Sequence, residues 1–301
     1  MPVPPTAAPA LEAERKPRDD EIDVHGVTHS GKVRTENQDH FLICSLRKQV
    51  EVRATSLPQV ERLMMDPERL AFVAMVADGV GGGAKGGEAS RIALEAVIQY
   101  VTNSIQSYYA ADRQDEGKLI DALEEGALQC HAELVRKGQE DPDYHGMATT
   151  LTLYLGVWPK AYMLQVGDSR CYLLRNGNLT QITRDQTIAQ ELVDLGVITR
   201  TDAASTRLVH SLSSSLGGRQ TEPVVTRFDM NWNTVVLLCS DGLTRHVSDE
   251  RIYQRLSSMT SAKQVCEDLL QDALEDGGTD NITIIVGRPW AREPGSGPAT
   301  P

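Results

Sequence analysis

The sequence lacks the features of a disulfide-stabilised, membrane-spanning or nucleic-acid-binding protein. Five cysteines among 301 residues are odd in number and form no C-x-x-C pair, so neither a disulfide framework nor a thiolate metal site is expected. No apolar run approaches the roughly 20 residues of a membrane span, and the N-terminus has no secretory apolar core. A formal net charge of −12 argues against nucleic acid, whose phosphates require a basic footprint. We therefore expect a cytoplasmic monomer without membrane or nucleic-acid partners.

The two ends of the chain differ in composition from its middle. Residues 1–21 are rich in proline, alanine and charge, which predicts a disordered lead-in. The tail, residues 289–301, has the same character. Neither a linker nor an internal repeat interrupts the intervening sequence, so residues 22–288 are predicted to form one domain.

Clusters of β-type apolar runs alternate with pairs of helical blocks. The predicted strands are His40–Cys44, Leu70–Ala77, Thr149–Val157, Ala161–Val166, Cys171–Leu174, Val224–Phe228, Thr234–Cys239 and Ile282–Val286. The predicted helices are Gly87–Ser104, Lys118–Lys137, Asp249–Leu256 and Ala262–Leu274. Clustered strands and paired helices favour an α+β fold of two stacked antiparallel β-sheets flanked by helix pairs over a parallel βαβ sheet.

Aspartates stand at the ends of three predicted core strands. Asp78 and Asp241 each follow an apolar strand, and Asp280 precedes another. Each alone is an ordinary turn residue, but together they can converge on one edge of the sheets. Such carboxylates would repel one another unless a divalent cation were bound. Because the sequence around them offers oxygen ligands without Cys or His, we expect a hard ion, Mg²⁺ or Mn²⁺.

Two further segments add polar groups between strands. The segment Arg34–Asp39 brings an arginine, whose paired N–H donors suit a phosphate, and another carboxylate just before a strand. Gly167–Arg170 lies between two strands and alone would be a simple turn. Beside a metal cluster, the arginine gains a functional interpretation that it would lack in isolation.

Six motifs occur in the order found in the metal-dependent protein Ser/Thr phosphatases of the protein-phosphatase-2C type. They are Arg34 with Asn37-Gln38-Asp39, the run Val76–Gly82, Gly146–Thr150, Gly167–Arg170, Ser240–Leu243 and Asp280-Asn281. The sequence resembles the bacterial branch of this family over residues 24–287. The family's fold, a four-layer α/β/β/α sandwich with two antiparallel sheets at its centre, agrees with the pattern of strands and helices.

The resemblance implies a centre of two, or in bacterial members three, Mn²⁺ or Mg²⁺ ions. Asp78 would bridge two ions, and the carbonyl of Gly79 would bind one of them. Asp241 and Asp280 would complete the shell of the second ion. Asp168, together with Asp241, matches the third-metal site of bacterial members.

The same resemblance implies roles around these ligands. Arg34 would hold the substrate phosphate, while Gln38 and Asp39 would contact metal-bound water, with Asn281 next to them in the surrounding shell. Residues 183–207 would form a mobile flap. Two cations about 3.5–4 Å apart would then make hydroxide available to attack the phosphorus of a phosphoserine or phosphothreonine, opposing a Ser/Thr kinase.

The chain departs from the family pattern at four places. Val80 stands where many eukaryotic members carry a histidine, so protonation of the leaving group is expected to rely on water. Gln38 replaces a glutamate, and residues 47–69 are longer than a hairpin needs. Arg245 replaces an aspartate, and we expect its side chain to face outward, toward an incoming phosphopeptide. An inward guanidinium would instead weaken metal binding.

Other interpretations have less support. Residues 81–86 satisfy G-x-G-x-x-G between a strand and a helix, but the parallel strand that a dinucleotide-binding unit requires does not follow. Neither Ser169 nor Ser240 lies in the G-x-S-x-G elbow of serine hydrolases. The alternative that stays open is a catalytically weak phosphopeptide-binding module of the same fold. Gln38 and Arg245 favour it, whereas the retained aspartates oppose it.

The all-oxygen ligand set predicts strict metal dependence. Excess EDTA should abolish hydrolysis of p-nitrophenyl phosphate, and Mn²⁺ or Mg²⁺ should restore it, because no protein nucleophile is expected. The measurement is the initial rate with chelator, and again after readdition of metal. Full turnover in EDTA would be incompatible with a metal centre.

Overall fold

Antiparallel strands form the centre of the computed structural model, which describes residues 15–48, 68–81, 84–110 and 116–290. The strands are β1 Ile22–His29, β2 His40–Lys48, β3 Glu68–Ala77, β4 Gly79–Val80, β5 Ala148–Thr149, β6 Leu151–Val157, β7 Lys160–Val166, β8 Arg170–Arg175, β9 Asn178–Gln181, β10 Val224–Asp229, β11 Val235–Cys239 and β12 Ile282–Pro289. One sheet has the order β1-β12-β11-β8-β9 and the other β10-β7-β6-β3-β2, while β4 and β5 form a small separate pair. The predicted pair of antiparallel sheets is confirmed.

Helices cover the outer face of each sheet. The α-helices of the described residues are α1 Ala84–Ala110, α2 Glu116–Glu140, α3 Ile188–Asp194, α4 Arg200–Ser205, α5 Asp241–Thr244, α6 Asp249–Ser257 and α7 Ala262–Glu275. The long pair α1 and α2 packs on the β3-containing sheet, and α6 and α7 pack on the β12-containing sheet. The result is the expected α/β/β/α sandwich.

Alternation along the strands explains why three separate apolar layers form. In β3, Val73 and Met75 point toward α1, whereas Ala74 and Val76 point toward the opposite sheet. In β11, Leu238 belongs to this same inner layer, and its neighbours face α7. Because successive side chains alternate between faces and both faces are covered, these strands are continuous apolar runs in the sequence.

The first strand, β1, was missed by sequence analysis. It pairs with β12 along its whole length, from Ile22 opposite Pro289 to His29 opposite Ile282. The alternation of apolar and polar residues in β1 is weak, because β1 is a half-buried edge strand that contains Gly26. A Cβ at Gly26 would lie 2.6 Å from the ring of Phe41, so a side chain at this position would collide with β2.

Ordered contacts are also present on both sides of the predicted domain, residues 22–288, whose limits stay a prediction. Arg15 donates two hydrogen bonds, of 2.6 and 2.7 Å, to the carboxylate of Glu21, which is only 2% exposed. Those bonds lower the pKa of Glu21 to about 2. At the other end, β12 continues to Pro289, which is buried. Residues 1–14 and 291–301 of the predicted disordered ends lie outside the described residues.

Further predictions concern the glycine-rich run 81–86, the flap, the long connection and membrane-spanning helices. Every strand pairing is antiparallel within the described ranges, so the glycine-rich run 81–86 is not part of a parallel dinucleotide-binding unit. The predicted flap contains the short helices α3 and α4, and its mobility stays a prediction. Residues 49–67 of the long connection lie outside the described residues. None of the helices in these ranges is long and apolar enough to cross a bilayer.

Close packing at Gly242 ties α5 to β12. A Cβ at Gly242 would collide with the backbone carbonyl of Asn281. We expect Gly242→Ala to lower the free energy of unfolding by about 1–3 kcal/mol, the typical cost of overpacking a fixed backbone contact. Gly87→Ala in α1 is the control, because its nearest non-helical atom would be 3.8 Å away and alanine favours helix. Equal urea midpoints for the two variants would contradict this expectation.

Candidate metal centre

Hydroxyl groups from the 146–150 motif hold the backbone of Asp78 where β3 ends. The backbone N–H of Asp78 donates to Oγ1 of Thr150 at 3.0 Å. Its carbonyl accepts from Oγ1 of Thr149 and from the backbone N–H of Thr150, both at 2.9 Å. Sequence analysis recognised this motif but assigned no role to either threonine. Their role is to fix the position of the aspartate.

Thr150 also anchors the loop that carries Asp168. Oγ of Ser169 lies 2.8 Å from Oγ1 of Thr150, and the carbonyl of Ser169 accepts from Thr152 at 3.0 Å. The preceding Gly167 has φ +101° and packs against Thr150, so a side chain there would clash. Asp168 is consequently buried, at 7% exposure, although it sits in a turn.

Asp39 lies near Asp78 and Asp241 and is only 3% exposed. Its Oδ2 accepts a 2.7 Å hydrogen bond from the hydroxyl of Ser240, which accepts in turn from the backbone N–H of Thr283. Its Oδ1 is buried and has no hydrogen-bond partner in the part of the chain that the structure describes. A buried carboxylate oxygen without a partner is costly, so this atom marks a place where a cation or a water belongs.

Asn281 holds the loop that bears Arg34 in position. Its Oδ1 accepts from the backbone N–H of Gln38 at 2.9 Å, and its Nδ2 donates to the carbonyls of Ser30 and Glu36. It therefore links the start of β12 to the loop before β2. The side chain of Gln38 lies against the N-terminal turn of α1, where a Cβ at Gly86 would be 2.7 Å from its Oε1.

Gly79 permits the close approach of the strand end to α1. A Cβ at Gly79 would collide with the carbonyl of Gly86 and would lie 2.7 Å from the carbonyl of Gln38. Its backbone pairs with Thr149 in the small sheet. The predicted use of its carbonyl as a metal ligand stays a prediction.

Two arginines contact the remaining aspartates. Arg34 donates from Nε and Nη2 to the two carboxylate oxygens of Asp280, at 2.8 and 2.9 Å. Arg245 donates from Nη1 to Asp280 at 2.9 Å and from Nη2 to Asp241. The prediction that Arg245 faces outward is therefore wrong. Arg245 is the residue directly after α5, one helical turn after Asp241, and its side chain reaches back to the Asp241 carboxylate. The spacing in the sequence left the direction of this side chain open.

Burial and mutual repulsion hold the pKa values of the cluster high. Burial, followed by the charges of neighbouring aspartates, raises the pKa of Asp78 well above its ordinary value. Burial and Asp241 do the same for Asp168. The pKa of Asp241 is raised by burial although Arg245 opposes the shift, and burial raises that of Asp39 to about 6. The site is thus deficient in positive charge.

The donor chemistry of this cluster fits a hard divalent cation. Asp39, Asp78, Asp168, Asp241 and Asp280 supply only carboxylate oxygens at the end of the sandwich. Among the described residues no three acidic, histidine or cysteine side chains are already arranged to hold an ion, and Arg34 and Arg245 contact two of the aspartates. The five cysteines are free, and four are buried.

Known proteins are similar to this chain in sequence. The sequence model of protein phosphatase 2C matches residues 63–277. The serine/threonine protein phosphatase PstP of Mycobacterium tuberculosis is 36% identical over 211 residues, which cover 70% of this chain and 39% of PstP. The serine/threonine phosphatase stp of Listeria welshimeri is 30% identical over 216 residues, 71% of this chain and 83% of the relative.

A solved structure adds a metal to the comparison. The crystal structure of the PstP catalytic domain in complex with two manganese ions superposes with a TM-score of 0.67 at 29% identity, covering 90% of this chain and 99% of that one. The chain belongs to the protein phosphatase 2C family. The matched region spans well under half the length of full PstP.

The raised pKa of Asp39 predicts how the metal-free protein responds to pH. Between the ordinary aspartate value of about 4 and the folded value of about 6, the folded state binds more protons than the unfolded state. Stability in EDTA should therefore fall by on the order of 1–3 kcal/mol as pH rises through this window. The measurement is urea unfolding at several pH values. Asp39→Asn should show a shallower decline, and identical slopes would contradict the assignment.

Proposed function

We propose that this chain hydrolyses phosphoserine and phosphothreonine in proteins at a centre of two Mn²⁺ or Mg²⁺ ions. The observation that carries the proposal is the convergence of five aspartates, from five separate parts of the chain, at one end of the sandwich. Asp78, Asp241 and Asp280 would hold the ions, with the Gly79 carbonyl as a further ligand. Family membership and the manganese-bound PstP structure support the same assignment.

Bound at these carboxylates, divalent cations would lower the pKa of water toward neutrality and offset negative charge on the phosphate. The chain's own contribution is to hold the carboxylates rigidly. Thr149 and Thr150 fix the backbone of Asp78 through hydrogen bonds, which sets the point from which its side chain extends. Ser240 restrains one oxygen of Asp39, and the other is buried without a hydrogen-bond partner among the described residues. Preorganised groups of this kind avoid reorganisation during the reaction.

We infer that Arg34 would bind the substrate phosphate. Its side chain is 55% exposed and presents Nε and Nη2 side by side to the two oxygens of Asp280. A phosphate offers the same two-oxygen geometry as a carboxylate, so the fork that now binds Asp280 would bind the phosphate equally well. The side chain of Asn281 holds the loop from which Arg34 extends, through hydrogen bonds to two backbone carbonyls.

The wider role we propose is to oppose a Ser/Thr kinase in cytoplasmic signalling, acting as a monomer on phosphoprotein substrates. The support is the identity of the bacterial relatives as serine/threonine phosphatases. The net charge of −12 would repel a negatively charged phosphopeptide. Local cations such as Arg34 would therefore be needed to attract its phosphate.

Hydrolysis of a phosphothreonine peptide with Mn²⁺ tests the proposal directly. Asp78→Asn should lower kcat by at least roughly 10³-fold, the scale of losing a main electrostatic element, because it removes the central carboxylate. Phosphate release is the measurement, with circular dichroism to establish that the variant is folded. Asp143→Asn, the same change at an exposed aspartate outside the cluster, is the control and should leave kcat unchanged.

Two outcomes would contradict the proposal. A folded Asp78→Asn variant with near-normal kcat would remove the aspartate from the reaction. A parent protein that binds the phosphopeptide in the presence of Mn²⁺ but does not hydrolyse it would instead be the phosphopeptide-binding module that Gln38 and Arg245 suggested.

A further inference from the structure

One helical turn holds Arg245 close to Asp241 in the site. The helix α5 begins at Asp241, and the backbone N–H of Arg245 donates to the carbonyl of Asp241 at 2.9 Å. Residues four apart on a helical turn lie on the same face, so the guanidinium returns over the carboxylate that starts the helix. The side chain is 27% exposed, about half the exposure of the Arg34 side chain.

The charge of Arg245 acts on three aspartates. Its guanidinium contacts Asp241 and Asp280 directly. It also lowers the pKa of Asp168, which sits on a different loop and is otherwise surrounded by the carboxylates of Asp241 and Asp185. Arg170 neutralises Asp185 through a bidentate contact of 2.6 and 2.9 Å, so Arg170 is already engaged elsewhere.

The charges of the site balance with two ions and this arginine. Five aspartates carry five negative charges when ionised, and two divalent cations together with one guanidinium carry five positive charges. Arg34, at the mouth, is then left for the dianionic substrate. A third divalent ion beside Asp168 and Asp241 would meet a fixed guanidinium on the same carboxylate, and two neighbouring positive charges repel strongly in a partly dry site.

We propose that Arg245 is a built-in third cation, which takes the place beside Asp168 and Asp241 where the family resemblance implies a third metal ion. The chain therefore binds two ions rather than three. The inference rests on the proposed function, because it assumes that the other aspartates hold two ions. Since a guanidinium does not dissociate, this positive charge is present at any metal concentration, and activation by Mn²⁺ should lack a weak third phase.

The test counts ions on the full chain. Native mass spectrometry at saturating Mn²⁺ gives the stoichiometry, and calorimetry gives the affinity of the weakest ion. We expect two ions on the parent and on Arg245→Lys, which keeps the charge, and three on Arg245→Gln, which removes it. The third ion should bind at least roughly tenfold more tightly to Arg245→Gln than to the parent, a shift that loss of one neighbouring charge can supply.

A matched control separates this effect from the loss of any surface ion pair. Arg251 binds Asp272 through Nε and Nη2, both at 2.9 Å, much as Arg34 and Arg245 bind the site aspartates. Arg251→Gln should keep two ions. Three ions on this control would show that the added ion is not specific to the site, and would overturn the inference.

The remaining outcomes are equally decisive. A parent that binds three ions and loses one in Asp168→Ala overturns the inference while leaving hydrolysis and the proposed function intact. A folded Arg245→Gln variant that still binds two ions also overturns it. If Arg245→Gln does not fold, the counts on the parent, Asp168→Ala and Arg245→Lys decide. A parent that binds fewer than two ions and shows no hydrolysis refutes the proposed function itself.

Discussion

Electrostatic repulsion among clustered aspartates is the constraint on which the rest of the structure depends. Burial, followed by the charges of neighbouring carboxylates, raises the pKa values of Asp78 and Asp168, and burial raises that of Asp241 against the opposing charge of Arg245. A site of this kind opposes folding unless positive charge is present. The surrounding sandwich must therefore be stable enough to hold the carboxylates together, and its three apolar layers supply that stability.

The scaffold restrains the cluster with neutral hydroxyl groups. Thr150 joins the ends of three strands, because it contacts the backbone of Asp78, the hydroxyl of Ser169 and the packing surface of Gly167. Ser240 performs the corresponding task for Asp39 and β12. Hydroxyls suit this role because they satisfy backbone groups without adding charge beside the carboxylates.

Positive charge reaches the site from within the chain. Arg34 and Arg245 both bind Asp280, but they differ in attachment. The Arg34 side chain is 55% exposed and extends from the loop before β2, whereas that of Arg245 is 27% exposed and follows Asp241, which it contacts, by one helical turn. Arg245 therefore lies deeper in the site than Arg34.

The sequence by itself determined the two antiparallel sheets, their helices and the aspartates at the strand ends, because alternation, helical period and turn chemistry are local properties. It missed β1, whose glycine and half-buried edge position leave only a weak alternating pattern. Only the tertiary structure decided that Arg245 points inward. Its contact with Asp280 joins residues 35 apart, and that of Arg34 with Asp280 joins residues 246 apart. Contacts at such separations depend on how the two sheets stack, which no local pattern records.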